Sequence, residues 1–263
     1  MKQRIVTGLI AGILFIGLTY AGGWAFSALV ILLALIGYYE YVRLNGFRAG
    51  HPAALVGWAG MILLVLPWES AGIPDPPAAA VIWCVMLGLL AVTVFTKNRT
   101  TLDGASLLLL GAVYVGIGFG EMIAVRDQQP YGLLLTFLAF GCIWASDIGA
   151  YFAGRAFGKH KLWPAISPNK TIEGAIGGVL LSLAVGAGFA LVAPEQVGMG
   201  QALLIGLAAS VAGQLGDLIQ SAYKRIRGVK DTGRLLPGHG GVLDRCDSWL
   251  IVFPLLTLTG LLN

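Results

Sequence analysis

Two stretches of this chain carry residue types that can do chemistry. The first runs from Trp144 to Gly174 and holds Asp147, Arg155, Lys159, Lys161, Ser167, Lys170 and Glu173. The second runs from Gly216 to Asp247 and holds Asp217, Ser221, Lys224, Arg225, Lys230, Asp231, His239, Asp244, Arg245 and Asp247, with Gly240 and Gly241 among them. Basic loops alone would serve to set membrane topology or touch anionic lipid heads. The carboxylates of the second stretch argue against that reading, because they weaken an anion-binding patch. Carboxylates hold Mg²⁺, cations hold phosphate oxygens, and glycines let backbone N–H groups approach phosphates. The combination points to chemistry on a phosphate compound.

Spacing sharpens the picture. Asp217, Ser221 and Lys224 stand at i, i+4 and i+7, one face of a helix. Asp244 and Asp247 stand at i, i+3, and are expected on one face of the last helix as it begins. Facing Asp217, they would form a metal cage; the plainer reading of Asp244 is a helix cap. Lys170 lies in Ser-Pro-Asn-Lys-Thr just before a helix, where the dipole favours a phosphate. Lys159 and Lys161 read as solvated cations. His239, between glycines, reads either as a structural hydrogen-bonding group or as a phosphate contact. His51 and His160 read as loop residues. No Walker A pattern occurs.

The elements that must position these groups are apolar. Of 263 residues 57% are hydrophobic and only 11% charged, against roughly 25% charged in soluble domains. The mean hydropathy is +0.81. Such a chain cannot build a charged shell, which excludes an ordinary water-soluble globule, a disordered chain and a disulfide scaffold. Cys84, Cys142 and Cys246 form no CxxC pair and read as small apolar residues. Eight charge-free runs organise the sequence, and the first breaks at Ala21-Gly22-Gly23. The expectation is an all-α, polytopic transmembrane protein of about nine spans: 5–20, 23–41, 53–68, 77–95, 104–125, 132–154, 174–193, 199–223 and 246–262. Continuous apolar runs argue against a β-barrel. The apolar run after Lys2 and Arg4 has no clear cleavage site, so no cleaved signal is expected.

Residues 1–263 read as one integral membrane domain, with N-terminal spans over 1–130 and the chemistry-bearing spans and loops over 131–263. A cytoplasmic N-terminus places sixteen of the seventeen basic residues on one side, Arg126 being the exception. Both polar stretches then face the cytoplasm. Asp147 lies near the end of the sixth span, where an ionisable group suggests function. Small residues at Gly8/Gly12, Gly174/Gly178 and Gly186 suit close helix packing.

The run Ser221-x-x-Lys224-Arg225-x4-Lys230-Asp231-x-Gly233, followed by Leu236-Pro237-x-His239-Gly240-Gly241-Val242-x-Asp244-Arg245-x-Asp247, resembles the signature of phosphatidate cytidylyltransferases, also called CDP-diacylglycerol synthases. Asp147, Gly154-Arg155, Ser167-Pro168-Asn169-Lys170-Thr171-x-Glu173-Gly174, and Glu40 ahead of Leu44-Asn45-Gly46-Phe47 are also similar to that family. Two positions depart from its pattern: Cys246 replaces a bulkier apolar residue, and Gln220 replaces a common acidic one. The strong resemblance covers roughly 144–249.

The resemblance implies cytidylyl transfer from CTP to phosphatidic acid, giving CDP-diacylglycerol and pyrophosphate for phospholipid synthesis. It implies a divalent cation, usually Mg²⁺, a multi-span protein of the cytoplasmic membrane, and a homodimer. Asp217, Asp244 and Asp247 are then expected to hold the metal. Asp147 is either a further ligand or a group orienting a cation. Lys224, Arg225, Lys230 and Arg245 are expected on phosphates, with Ser167, Lys170, Ser221, His239, Gly240 and Gly241 completing the cradle. Asp231 is expected to orient Lys230 or Arg234. No nucleic-acid partner is expected. Rival readings are a CTP-dependent polyprenol-type lipid kinase, an enzyme acting on an archaeal-type ether lipid, and a cation- or proton-coupled transporter using Asp147 and Asp217. Polar residues gathered on one membrane face, with no internal repeat, weigh against transport.

Overall fold

The computed structural model describes residues 2–233 and 240–262, with side chains from residue 8 onward. Among the described residues there are ten α-helices and one two-stranded hairpin. Nine helices are apolar, one for each expected span. Six are long and apolar enough to cross a membrane: α2 (Gly23–Leu44), α4 (Ala78–Phe95), α5 (Leu102–Asp127), α6 (Gly132–Phe157), α7 (Ile172–Val192) and α8 (Met199–Ile226). The other three are α1 (Lys2–Ala21), α3 (Pro52–Val65) and α10 (Trp249–Leu258). At 14 and 10 residues, α3 and α10 reach only about 21 and 15 Å, short of a roughly 30 Å hydrocarbon core. This is a membrane-type, all-α protein. Its large apolar side chains lie open on helix surfaces, as with Leu180, Leu191 and Val211 at 63%, 73% and 56% exposure; lipid is the solvent that suits them.

The chain forms two compact units, 1–124 with 231–245, and 125–230 with 246–263. In the first, α1 to α4 and most of α5 pack through small residues. A Cβ at Gly120 would sit 2.5 Å from the Leu64 carbonyl oxygen, so α5 meets α3 backbone to backbone. The short helix α9 (Leu243–Cys246) begins within this unit. Buried Tyr38 donates its hydroxyl to the Leu108 carbonyl at 3.3 Å.

In the second unit, α6, α7, α8 and α10 pack together. A Cβ at Gly149 of α6 would lie 2.5 Å from the Gly177 carbonyl of α7. One at Gly186 of α7 would lie 2.5 Å from the Ala202 carbonyl of α8. Gly174, Gly178 and Gly186 all lie at such close approaches, whereas Gly12 faces open space, so packing accounts for the former three and not for Gly12. Polar side chains lock the same helices: Ser146 Oγ meets Ser210 Oγ at 2.7 Å, and Ser182 Oγ donates to the Gly206 carbonyl at 2.7 Å. Buried hydroxyls bonded this way avoid the cost of an unpaired polar group.

Between α6 and α7 the chain forms β1 (Lys161–Trp163) and β2 (Ser167–Thr171), antiparallel, with Lys161 opposite Thr171. Glu173 in the first turn of α7 clamps the hairpin's entry, accepting from the Lys159 and His160 amides at 3.1 and 3.2 Å and pairing with His160 Nδ1 at 2.6 Å. Thr171 caps α7 by accepting from the Gly174 amide at 3.1 Å. The hairpin was not expected from sequence. Asp244 and Asp247 also depart from expectation. Asp244 belongs to α9, Asp247 lies in the turn after it, and α10 starts at Trp249. The two carboxylates therefore do not share one helix face. The Ser248 amide donates to Asp247 Oδ1 at 2.8 Å and Ser248 Oγ to the Gly213 carbonyl at 3.1 Å. These side-chain bonds compete with helical ones and break the helix there.

Candidate active site

The second unit gathers one group of predicted residues around α8. Lys170 at the end of β2 reaches the α8 backbone, with Nζ 2.6 Å from Asp217 Oδ2 and 3.4 Å from the Gln214 carbonyl. Ser221, one turn beyond Asp217, donates to Asp217 Oδ1 at 3.3 Å, as the i, i+4 spacing anticipates. The Arg225 guanidinium Nε donates to the Ile166 carbonyl at 3.3 Å, tying the hairpin to α8. Ser167 lies half-buried in β2.

Asp247 joins this group because its turn lies against α8. A Cβ at Gly216 would lie 2.6 Å from the Asp247 carbonyl, so glycine is what permits the approach. Burial pushes the Asp247 carboxyl up to about 7, and the Asp217 carboxylate adds to the rise; the Ser248 amide and Lys224 pull the other way, and Asp147 adds a smaller upward push. Asp147, on α6 about three turns before its end, is also within electrostatic reach of Asp217 and Lys170. Asp217, Asp147 and Lys224 thus all bear on the Asp247 carboxyl in this unit. Lys159, Lys161 and Arg155 are exposed, and Arg155 Nη1 donates to the Tyr151 hydroxyl at 3.3 Å.

The first unit holds a second group. Asp244 Oδ2 accepts from the Thr232 amide at 2.8 Å, the Gly241 amide at 2.9 Å and the Thr232 hydroxyl at 3.1 Å. Asp244 therefore ties together the two ends of the segment it closes. Gly240 has φ +85°, a backbone state that favours glycine. Glu40, buried in α2, accepts from the Val242 amide at 3.0 Å, the Leu243 amide at 3.1 Å and the Thr232 hydroxyl at 3.1 Å. Arg245 and Asp231 are exposed here, as is Lys230 at the end of the second unit. His239, Arg234, Leu236 and Pro237 lie outside the described residues, so the readings placed on them receive no geometry.

Among the described residues, no group of three or more His, Cys, Asp and Glu side chains converges as a metal site. This does not conflict with Mg²⁺, which is commonly held by one or two carboxylates plus substrate phosphates and water rather than by an all-protein cage. Asp217 and Asp247 are a pair of that kind, mutually repelling and oxygen-only, and they fit such an ion. Sequence reasoning missed the roles of Thr232 and Gln214 and the partners of Glu40, whose contacts join positions roughly 200 residues apart.

Comparison with known proteins covers the whole chain. Residues 2–262 match the model of the cytidylyltransferase family. A phosphatidate cytidylyltransferase of Bacillus subtilis is 42% identical over 261 residues, covering 97% of this chain and 96% of its own. Proteins of the same name from Staphylococcus saprophyticus and Staphylococcus haemolyticus are 38% and 40% identical, with 98% of each chain covered in both cases. With that match spanning both units and both polar stretches, the chain belongs to the cytidylyltransferase family.

Proposed function

We propose that this protein transfers a cytidylyl group from CTP to phosphatidic acid, giving CDP-diacylglycerol and pyrophosphate. The observation that carries this reading is the near-full-length likeness to relatives named phosphatidate cytidylyltransferase. The polar groups around α8 suit the chemistry. A phosphate oxygen of phosphatidic acid attacks the α-phosphorus of CTP. The bond from that phosphorus to the bridging oxygen breaks, and its electron pair leaves with pyrophosphate. Phosphatidate is already anionic at neutral pH, so the site needs charge neutralisation and alignment more than a strong base.

In this reading Asp217 and Asp247 hold a divalent cation such as Mg²⁺, with Asp147 beside them. Asp244 is kept in the ligand set on sequence, three positions before Asp247 along the chain. The bound ion would offset charge on the CTP phosphates. Lys224, Arg225, Lys230 and Arg245 bind phosphate oxygens, and some stabilise the departing pyrophosphate. Lys170, anchored by Asp217, adds a cation, and Ser167, Ser221, His239, Gly240 and Gly241 supply neutral donors. We further propose a cytoplasmic N-terminus, a site at the inner face of the cytoplasmic membrane, and a homodimer. The boundary location follows from the substrates: lipid tails stay in hydrocarbon while CTP arrives from water.

The test is incubation of the purified protein with CTP labelled at the α-phosphate, Mg²⁺ and phosphatidic acid. Label in a CDP-lipid supports the reading. Phosphorylated lipid with release of CDP supports the kinase alternative.

A further inference from the structure

We propose that Glu40 is a positioning residue, whose negative charge sets the conformation of the segment that presents Asp244 and Arg245. The argument stands on the first unit alone. Glu40 is on α2, one turn before its end, and is 5% exposed. Its Oε1 accepts from the Val242 amide and its Oε2 from the Leu243 amide, at 3.0 and 3.1 Å. Those amides lead into α9, where a short helix leaves its first N–H groups without helical partners. A carboxylate is an acceptor on both oxygens; a neutral amide would turn an NH₂ donor toward one of these donors.

Two further observations fix the arrangement. The Thr232 hydroxyl lies 3.1 Å from both Glu40 Oε2 and Asp244 Oδ2. Its single proton is shared between the two carboxylates, so Glu40 and Asp244 are held in register about one oxygen. Gly233 and Gly241 lie against the Glu40 carboxylate, and a Cβ at either would collide with it. The glycines there are explained by that close approach. Glu40 thus bonds to Thr232 on one side and to Val242 and Leu243 on the other, and Asp244 is oriented by the same Thr232 hydroxyl together with the Thr232 and Gly241 amides. Replacing the carboxylate by an amide leaves one of the two amides facing a donor and weakens the other bonds to position 40, and Asp244 is then held by the Thr232 and Gly241 amides without the Glu40 side of the shared hydroxyl.

The experiment uses the full-length protein in detergent. Hydrogen exchange at the Val242 and Leu243 amides is compared between wild type and Glu40→Gln; exchange about tenfold faster or more is expected, for loss of charge-assisted bonds. The activity arm rests on the proposed cytidylyl transfer. A merely unstable enzyme would lose maximal rate and nothing else. Displacement of Asp244 raises the Mg²⁺ concentration for half-maximal rate, by about tenfold, along with a fall in kcat. Unchanged exchange at both amides overturns the proposal, as does faster exchange with an unaltered kcat and Mg²⁺ requirement. Should Glu40→Gln fail to accumulate, Thr232→Val takes its place, with smaller changes in the same direction expected and unchanged exchange again overturning the idea. A wild type inactive toward CTP and phosphatidic acid refutes the proposed reaction, and the exchange comparison then decides the hold of Glu40 by itself.

Discussion

Replacement of Asp247 by Asn should cut turnover steeply yet stabilise the metal-free protein at neutral and alkaline pH. The half-buried Asp247 carboxyl sits near Asp217 in the turn before α10 and is raised to about 7 from an ordinary 3.8. Below 3.8 it is protonated in both folded and unfolded chains and contributes nothing. Between 3.8 and 7 the folded chain binds the extra proton, so stability falls as pH rises. Above 7 the full cost of the buried charge is present. A shift of about three units at 1.36 kcal/mol each sets a ceiling near 4 kcal/mol, and solvent reaching the half-buried group leaves about 2 kcal/mol. Asn keeps an oxygen for the Ser248 amide and carries no charge. In detergent with chelator at pH 8, the variant should melt several degrees above wild type, with the gain fading toward pH 4. Activity with Mg²⁺ should fall by about a hundredfold or more. Near-normal turnover would refute the metal assignment; a variant that melts lower at pH 8 would refute the charge-repulsion argument.

Other consequences are open to direct measurement. Lys170→Met removes the 2.6 Å partner of Asp217 and should reduce kcat by roughly ten- to a hundredfold; rates within twofold of wild type would contradict its role. Lys159→Gln, at an exposed position, should leave steady-state rates within about twofold, and total loss would show that its side chain meets substrate. Below pH 7, proton competition at Asp247 should raise the Mg²⁺ concentration for half-maximal rate by up to about tenfold per pH unit, and a flat requirement from pH 6 to 8 would count against it. Gly149→Val places bulk where the Gly177 carbonyl lies within 2.5 Å of a Cβ and should block accumulation of folded protein, as judged by size-exclusion chromatography in detergent.

The apolar helices were legible because lipid exposure and backbone satisfaction demand long charge-free runs, and charges mark their ends. Expected spans 23–41, 77–95 and 174–193 correspond to helices Gly23–Leu44, Ala78–Phe95 and Ile172–Val192. The 161–171 hairpin was not legible. It is short and polar, contains Pro164 and Pro168, and is held by Glu173 and Arg225 rather than by an apolar pattern. The break between α9 and α10 was hidden for a similar reason. Asp244 and Asp247 have helical spacing, but Asp247 and Ser248 spend their side chains on local backbone groups. In the candidate site, the i, i+4 relation of Asp217 and Ser221 was readable from spacing. The pairing of Lys170 with Asp217, and of Glu40 with the 232–243 segment, was not, because no local periodicity links positions so far apart.

The most direct test of the central claim is a mass balance on the purified protein in lipid vesicles containing phosphatidic acid, supplied with CTP and Mg²⁺. Cytidylyl transfer predicts one CDP-diacylglycerol and one pyrophosphate for each CTP consumed. Release of CDP with a phosphorylated lipid, or no consumption of CTP by folded protein, would contradict it.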